Sequence, residues 1–462
     1  MNPGGWSTCT PAERIAQLCD DASTAAIAGI SDRARKSPHL ARWGIEPRDD
    51  DGVVIARGRL DGLDVMVAAQ DERFLGGSVG AGHAAALQAL FAHARTHRPD
   101  AVILLLASGG VRLHEANPAE VALARALSAL LALRIAGIPV IALGVADVFG
   151  GASVLACSAD RLGLLPHARL GVSGPRVIAA ERGRDELDAA DPAAVAAVFG
   201  APARARRGEL DLVAEDRGIV RAWVTSAIAA RTTFAEAVQA RQAWLRHALH
   251  RTNARATSGS TSTPWQLPAA WREIAQAVDP ASALWRLPRR RVWIAAAAGA
   301  HHLDPQRLTS LDAALLRHVL RAARTGGATL VLVEDSLGHE PSVAAESMGI
   351  ARFLAHHAAV LALLRAAGVR VVGVLVGQGH SAAFFVNALQ AETLHVLAAA
   401  TVVAMDPRNV ARVTRLDAEA LEACIAEDPV LGHPASLLVH WDPAIALAQD
   451  ADRALLEHIA NP

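Results

Sequence analysis

Short apolar strands that end in glycine turns and run directly into helices recur along this chain, and this pattern constrains its fold most. Residues 101–107 form a buried strand that ends at Ser108-Gly109-Gly110, and residues 140–145 form another that is followed by Gly150-Gly151. A helical pattern comes after each turn. This alternation predicts an α/β fold in which the turns lie at the carboxyl ends of the strands.

The second half of the chain repeats this organisation. Residues 139–175 align without gaps on residues 371–407, which places Gly150-Gly151 over Ala382-Ala383. The turn after the earlier strand aligns near residues 335–337. We interpret the chain as a tandem duplication of one α/β unit.

A composition change near the middle of the chain predicts a domain boundary. Residues 253–268 are rich in Ser, Thr, Gly and Pro, which is typical of a linker. The chain has 462 residues, enough for two or three domains of about 150 residues each. We therefore expect one domain over residues 1–252 and a second over residues 269–462.

Composition excludes several classes of protein. Lys+Arg number 45 against 46 Asp+Glu, so the overall basic excess of a nucleic-acid-binding protein is absent. Lys36 is the single lysine, which leaves little room for Schiff-base chemistry. The four cysteines form no CxxC pair and the paired histidines do not suggest a metal site, so we expect no bound metal. Apolar stretches fall short of the ~18 residues of a membrane span, and a cytoplasmic location is expected.

The glycine turns are the strongest candidates for chemistry. A strand that enters a helix through glycine leaves backbone N–H groups unpaired, and these can hold a phosphate or stabilise an oxyanion. Neither turn carries the P-loop or GxGxxG signature, and no GxSxG elbow of a serine hydrolase occurs. On glycine content alone, a purely structural role for the turns stays open.

Several motifs in order resemble a known family. Residues 108–117 (SGGVRLHEAN) look like the SGG(A/V)RxxE element of crotonase-type carboxyltransferases and, more closely, of the malonate decarboxylase beta subunit. Residues 50–61, 76–80 and 171–178 extend this likeness. Residues 376–390, with Met405 and residues 411–414, are similar to the gamma subunit of the same enzyme. The resemblance implies two tandem crotonase-like domains, a fused beta and gamma pair.

The resemblance also implies a reaction. In this reaction, a malonyl thioester on an acyl-carrier protein would be converted into the acetyl thioester and CO2 through an enolate. The chain would bind no cofactor itself, because the phosphopantetheine arm of the carrier holds the substrate. Expected partners are the carrier protein and acyl transferase subunits, and a homo-oligomer is compatible with the family.

The turns and the resemblance together give the candidate site residues. The catalytic candidates are Gly109, Gly110, Gly150, Gly151, Gly379, His380, Ser381 and Ala382. The substrate-binding candidates are Ser108, Arg112, His114, Glu115 and Asn117. His114, His380 and water are alternative proton donors, and Arg112 would hold a carboxylate, hold a carrier phosphate or brace its loop.

Departures from the family pattern keep two rival functions open. Ser381-Ala382-Ala383 stands where carboxyltransferases have Ser-Gly-Gly, and a Cβ makes positive φ costly. Asp147 adds a carboxylate near Gly150, which disfavours an enolate unless the carboxylate points away or is neutralised. One rival is a biotin-dependent carboxyltransferase, with biotin on another protein. The other is a non-catalytic subunit that binds the carrier.

Overall fold

The chain divides into two compact units. The computed structural model describes residues 5–27, 29–30, 36–253, 267–279, 282–288 and 290–460. Unit 1 contains the described residues up to Arg112, Arg125–Ala237 and Pro341–Arg352, and unit 2 contains Leu113–Ala124 and the described residues of Val238–Glu340 and from Phe353 onward. The expected linker falls mainly on residues 254–266, outside the described residues, so the boundary at 253–268 stays a prediction.

Unit 1 is built on a mixed sheet of eight strands. The strands are β1 (Ala25–Ala26), β2 (Val53–Leu60), β3 (Leu63–Gln70), β4 (Ala101–Ser108), β5 (Val140–Phe149), β6 (Arg161–Leu164), β7 (Leu170–Gly171) and β8 (Asp211–Leu212). Their order is β1-β2-β3-β4-β5-β6-β8, and β7 pairs with the end of β5. β1, β2 and β3 pair antiparallel, whereas the pairs from β3 through β8 are parallel.

The first half of the chain contributes a set of helices that the two units share. They are α1 (Pro11–Leu18), α2 (Ala81–His97), α3 (Ala116–Ile135), α4 (Gly151–Cys157), α5 (Pro175–Arg182), α6 (Pro192–Phe199), α7 (Ala201–Arg206), α8 (Arg217–Ala229) and α9 (Phe234–Asn253). α1 begins at the capping box of Thr10 and Glu13 that its sequence predicts. One core cluster joins α1 and α8 to the central strands through Leu18, Val224 and Ile103. Burial of such aliphatic side chains stabilises the sheet by roughly 1.5–3 kcal/mol each.

Unit 2 repeats the topology of unit 1. Its strands are β9 (Gln276–Asp279), β10 (Leu284–Arg286), β11 (Val292–Leu303), β12 (Ala328–His339), β13 (Val369–His380), β14 (Thr393–Leu397), β15 (Thr401–Val403) and β16 (Ile445–Ala448). Their order is β9-β10-β11-β12-β13-β14-β16, with β15 paired to β13. Strand for strand this is the order of unit 1, so the expected duplication of an α/β unit is confirmed.

The second half contributes a further set of helices. They are α10 (Ala269–Arg272), α11 (Pro305–Ala314), α12 (Arg321–Ala323), α13 (Val343–Met348), α14 (Ile350–Ala366), α15 (Ser381–Val386), α16 (Pro407–Thr414), α17 (Ala418–Glu427) and α18 (Arg453–Ala460). A π-helical segment, Leu315–Leu320, connects α11 to α12. Within the described ranges, no helix has the length and apolar character that crossing a bilayer requires.

The strand registers correct the gapless alignment of the two halves. Ser108 pairs with Val148 in unit 1, and Ser336 pairs with Gly379 in unit 2. The turn Ser108-Gly109-Gly110 therefore corresponds to Ser336-Leu337-Gly338, and Gly150-Gly151 corresponds to Ser381-Ala382 rather than to Ala382-Ala383.

A one-residue insertion explains this shift. Asp160 accepts a hydrogen bond from the Val140 amide, and Glu392 accepts the equivalent bond from Val371. From Gly150 to Asp160 the chain advances ten positions, whereas from Ser381 to Glu392 it advances eleven. The alignment was correct at Asp160 and Glu392 and wrong by one residue at the turn.

Candidate functional site

The turn after β4 is closed by its own hydroxyl. Ser108 is buried, and its Oγ accepts a hydrogen bond from the Gly110 amide at 3.2 Å. The Gly109 amide donates to the Gly76 carbonyl at 2.9 Å. Because both amides already have acceptors, neither Gly109 nor Gly110 supplies the free N–H group that the sequence led us to expect. The two glycines shape the turn instead.

The turn after β5 lies directly against the first one. Gly150 has φ 60° and ψ −142°, a conformation that side chains with a Cβ rarely adopt. A Cβ built on Gly150 would lie 3.0 Å from the Gly110 Cα, and one built on Gly110 would lie 3.3 Å from the Gly150 Cα. Both positions therefore require glycine. The Gly150 amide donates to the carbonyls of Gly171 and Val172 at 3.0 and 3.2 Å, so it too is occupied.

Two neighbouring amides keep their N–H groups available as hydrogen-bond donors. Gly151 is the first residue of α4, and the first N–H groups of a helix have no acceptor within it. The Val111 nitrogen lies beside Gly150, 3.8 Å from a Cβ built there. Among the residues that the structure describes, neither the Val111 nor the Gly151 amide donates to a backbone carbonyl outside regular elements. The donor role expected of Gly109, Gly110 and Gly150 thus fits Val111 and Gly151 better.

Arg112 braces the loop that carries these turns. Its side chain is fully buried, and Nη1 donates to the Asp51 carboxylate at 2.5 Å. Nη2 donates to the Ser78 carbonyl at 3.0 Å, and the guanidinium lies 5.2 Å from the centre of the Phe74 ring. Of the three roles left open for Arg112, these contacts favour bracing, because the guanidinium charge is matched inside the fold.

The extra carboxylate near Gly150 is neutralised. Asp147 forms a bidentate ion pair with Arg169, whose Nε lies 3.0 and 3.1 Å from the two carboxylate oxygens and whose Nη2 completes the contact. The Arg169 guanidinium also lies 5.9 Å from the Phe149 ring centre. Asp147 therefore adds no uncompensated negative charge beside the turn.

The second-half turn keeps the positive φ angles of the first with different residues. The Ser336 Oγ accepts a hydrogen bond from the Gly338 amide at 3.0 Å, as Ser108 does in the first half. Ser381, in the position of Gly150, has φ 47°, and its Oγ donates to the Ala404 carbonyl at 3.2 Å. Ala382 lies inside α15 without positive φ. The strain expected at the alanines falls instead on Ser381.

Gly379 and His380 are strand residues rather than turn residues. Both belong to β13 and pair with β15. A Cβ on Gly379 would lie 2.9 Å from the Phe384 ring, so this glycine makes room for a buried aromatic side chain. Burial, together with His433 and His302, lowers the pKa of His380 to about 4. His380 is consequently neutral at pH 7, so it is not in the imidazolium form that could act as a general acid.

Three further sequence candidates lie in unit 2. His114 and Glu115 form a short 3-10 helix and are buried. The Asn117 side chain donates to the carbonyls of Gly432 and Pro429 at 2.8 and 3.3 Å, and its backbone amide donates to Val430. Asn117 thus holds a backbone segment, which is a structural task.

A buried polar network in unit 2 was missed by the sequence analysis. His357 Nδ1 lies 2.7 Å from Asp312, its Nε2 lies 3.1 Å from Asn387, and the Asn387 amide donates to Glu334. Burial raises the pKa of Glu334 to about 8. The sequence offered only the adjacent pair His356-His357, because Asp312, Glu334 and Asn387 lie on separate elements.

Comparison with known proteins matches two family models to the chain. The carboxyl transferase domain model matches residues 10–230, and the malonate decarboxylase gamma subunit model matches residues 309–452. The two matches lie in the two halves that the duplication defines. They bear out the expected order of a beta-like part followed by a gamma-like part.

Curated and solved proteins show the same likeness. The chain is 32% identical over 223 residues to the malonyl-S-ACP:biotin-protein carboxyltransferase of Malonomonas rubra, covering 45% of this chain and 70% of the relative. It is 27% identical over 514 residues to acetyl-coenzyme A carboxylase carboxyl transferase subunits beta/alpha of Salinispora tropica, covering 99% and 88%. A chain of the Pseudomonas malonate decarboxylase hetero-tetramer with malonate is 30% identical, covering 56% and 94%, with a TM-score of 0.49.

Proposed function

Because this chain belongs to the family of malonate decarboxylases and related carboxyltransferases, as a fusion of beta-like and gamma-like parts, we propose that it decarboxylates a malonyl thioester. The bond from the α-carbon to the carboxylate carbon breaks, and CO2 leaves. The electron pair of that bond moves onto the thioester as an enolate. A proton then adds to the α-carbon and yields the acetyl thioester.

The observation that carries this proposal is the close approach of two glycine turns beside available amides. The negative oxygen of a thioester enolate needs preorganised donors, and the loss of one such donor costs about 2.7–4 kcal/mol of transition-state stabilisation. Val111 and Gly151 offer N–H groups next to the contact between Gly110 and Gly150. These amides are held by backbone geometry, so they need no reorganisation when the charge develops.

The surrounding charges support the same chemistry. Arg169 pairs with Asp147 and Arg112 pairs with Asp51, so the carboxylates beside the turns are matched. A negative enolate in this region is therefore not opposed by an unpaired carboxylate at either position. The Ser108 hydroxyl keeps the first turn closed.

The proton that completes the product needs a separate source. His380 is neutral at pH 7 because burial, with two nearby histidines, lowers its pKa to about 4. We therefore favour water or His114 over His380 as the donor. A His114→Gln variant separates these sources, since it leaves turnover unchanged if water supplies the proton.

The substrate class follows from family membership and is part of the proposal. The malonyl group would arrive on the phosphopantetheine arm of an acyl-carrier protein, and an acyl transferase subunit would load that carrier. The chain itself would need neither metal nor redox cofactor for this step, because backbone amides stabilise the enolate. Assembly with these subunits, or with further copies of the chain, is proposed on the same basis.

Carboxyl transfer to biotin is a second candidate, favoured by the relative from Malonomonas rubra. The same enolate would form, but the carboxyl group would pass to biotin instead of leaving as free CO2. Biotin would have to be attached outside these 462 residues, because Lys36 is their single lysine and no biotinyl-lysine motif surrounds it.

CO2 release from a malonyl thioester tests the proposal. The substrate is offered on its carrier protein and on a pantetheine arm, with and without avidin to sequester biotin. Equal amounts of CO2 and acetyl thioester in the presence of avidin support direct decarboxylation. Turnover that avidin abolishes supports carboxyl transfer to biotin. Carrier binding without any turnover contradicts both and supports a non-catalytic subunit.

A further inference from the structure

A carboxylate from the second half of the sequence is buried in unit 1. Glu346 lies on α13, within the segment Pro341–Arg352 that belongs to this unit. Ser342 caps α13, since its hydroxyl accepts a hydrogen bond from the Ala345 amide, and the Glu346 side chain is 1% exposed. A charged group in such a position requires specific partners, because burying an unmatched carboxylate is costly.

The partners of Glu346 are two consecutive backbone amides and one arginine. Oε1 accepts hydrogen bonds from the Val172 and Ser173 amides at 2.8 and 2.7 Å. Oε2 accepts from the Arg204 guanidinium at 2.7 Å, and Arg204 also pairs with Glu209 at 2.6 Å. All of these groups are buried, so the hydrogen bonds are protected from water.

The loop that Glu346 holds also provides the carbonyl acceptors for the Gly150 N–H group. The carbonyls of Gly171 and Val172 accept this N–H at 3.0 and 3.2 Å. The Val172 N–H thus donates to Glu346, and the Val172 carbonyl accepts a hydrogen bond from the Gly150 N–H. The Gly150 N–H lies in the peptide plane that joins Phe149 to Gly150, and the φ and ψ of Gly150 relate this plane to the next one, which carries the Gly151 amide.

Close packing leaves little freedom at this junction. A Cβ built on Gly171 would lie 3.1 Å from Glu346 Oε2 and 2.8 Å from the Phe199 ring. The carboxylate therefore occupies space that any larger residue at 171 would fill. Displacement of Glu346 would free the loop to move, and the Gly150 acceptors would move with it.

We propose that Glu346 is a positioning residue that sets the Gly150-Gly151 turn for oxyanion stabilisation by holding the 171–173 loop. This inference rests on the proposed function, although its geometric part does not. It also gives the fusion a specific consequence. An anchor from the stretch that matches the gamma-subunit model acts on a loop from the stretch that matches the carboxyl transferase model.

Three variants separate positioning from general stability. Glu346→Ala removes the single acceptor of the two loop amides together with the Arg204 acceptor, and Glu346→Gln leaves one oxygen to serve the loop and Arg204 together. Glu209→Gln is the matched control, because it weakens the pairing of the same buried Arg204 without touching the loop. Thermal unfolding identifies the temperature range in which each variant is folded.

The kinetic readout is the division of the effect between kcat and KM. Glu346→Ala is expected to lower kcat for CO2 release by about tenfold to a hundredfold, because small misplacements of catalytic groups have effects of this size. KM should change by less than about twofold, since the lost interaction acts in the transition state. Glu346→Gln should fall between the wild type and Glu346→Ala. Glu209→Gln should keep the wild-type kcat despite a lower unfolding temperature.

Hydrogen exchange provides a readout that does not depend on activity. In Glu346→Ala the amides of Val172, Ser173 and Gly150 should exchange about tenfold faster or more, while Glu209→Gln leaves them protected. If Glu346→Ala does not fold, the same comparison is made with Glu346→Gln. Unchanged exchange at these amides, or an equal kcat loss in Glu209→Gln, would overturn the inference. A wild type without turnover would refute the proposed function alone, and exchange would still decide whether Glu346 holds the turn.

Discussion

Replacing Gly151 with proline removes one backbone N–H group from the turn. Gly151 is the first residue of α4 and is buried. Proline is tolerated at this position of a helix, because its missing N–H has no partner within the helix and its fixed φ suits the first turn. Gly151→Ala is the matched control, because alanine adds a side chain but keeps the amide.

The expected magnitude follows from the role assigned to this amide. Loss of one oxyanion donor lowers kcat by about 10²–10³, equivalent to about 2.7–4 kcal/mol. KM should be nearly unchanged, because the donor acts mainly on charge that develops in the transition state. Gly151→Ala should differ from the wild type by far less, since both proteins present the same N–H group.

The assay measures kcat and KM for CO2 release over a series of malonyl thioester concentrations up to saturation, with thermal unfolding followed in parallel. The informative comparison is Gly151→Pro against Gly151→Ala at a temperature where both are folded. A folded Gly151→Pro variant whose kcat lies within about threefold of Gly151→Ala would refute the reasoning, because a donor worth so little does not fit an oxyanion hole.

Other predictions concern charge, pH and the second turn. Arg112→Met should destabilise the fold by about 3–5 kcal/mol in urea unfolding, because the buried Asp51 carboxylate would lose the guanidinium that balances its charge and keep neutral donors such as the His83 amide; a change below about 1 kcal/mol would contradict the bracing role. Burial raises the pKa of Glu120 from 4.5 to about 8, so the folded chain binds a proton that the unfolded chain has lost, and stability should fall between those pH values by on the order of 4–5 kcal/mol. In urea titrations from pH 5 to 8, the free energy of unfolding of Glu120→Gln should fall less with rising pH than that of the wild type. Equal pH dependence in the two proteins would contradict this prediction. Ala382→Gly with Ala383→Gly should cost about 1 kcal/mol per site and leave kcat unimproved, because both alanines already suit α15; a large gain in kcat would instead identify a decayed site.

The fold could be predicted because its signals are local. Each central strand is a short apolar run, each turn carries glycine or a small polar residue, and the capping box of Thr10 and Glu13 marks the start of α1. The repetition of this order in the second half predicted two equivalent sheets. Residue pattern alone was sufficient here, because the hydrophobic periodicity and the turn chemistry agree.

The register between the halves could not be read from sequence. One extra residue between Ser381 and Glu392 moves the turn by one position relative to Gly150, and the identity of the two halves is too low to reveal it. The positive φ of Ser381 carries no sequence signal either, because serine is rarely found in this conformation. Strand pairing was needed to place the two turns in correspondence.

Of the glycines predicted as donors, Gly151 keeps an available amide, whereas the amides of Gly109, Gly110 and Gly150 have acceptors within the fold. Whether an amide is available depends on acceptors that are distant in sequence, such as Gly76 for Gly109 and Gly171 for Gly150. Glu346 shows the same limit, since it contacts amides more than 170 positions earlier in the chain. Such contacts leave no local pattern, so only the folded chain identifies them.

Single-turnover decarboxylation in D2O tests the central claim most directly. A malonyl thioester is mixed with excess protein and avidin, and mass spectrometry follows the acetyl thioester while CO2 is collected. Direct decarboxylation through an enolate predicts one acetyl thioester for each CO2, with one solvent-derived deuterium on the methyl group, because water and an exchanged imidazole N–D both deliver deuterium. Absence of acetyl thioester until a biotinyl carrier replaces avidin would contradict direct decarboxylation and assign the chain to carboxyl transfer.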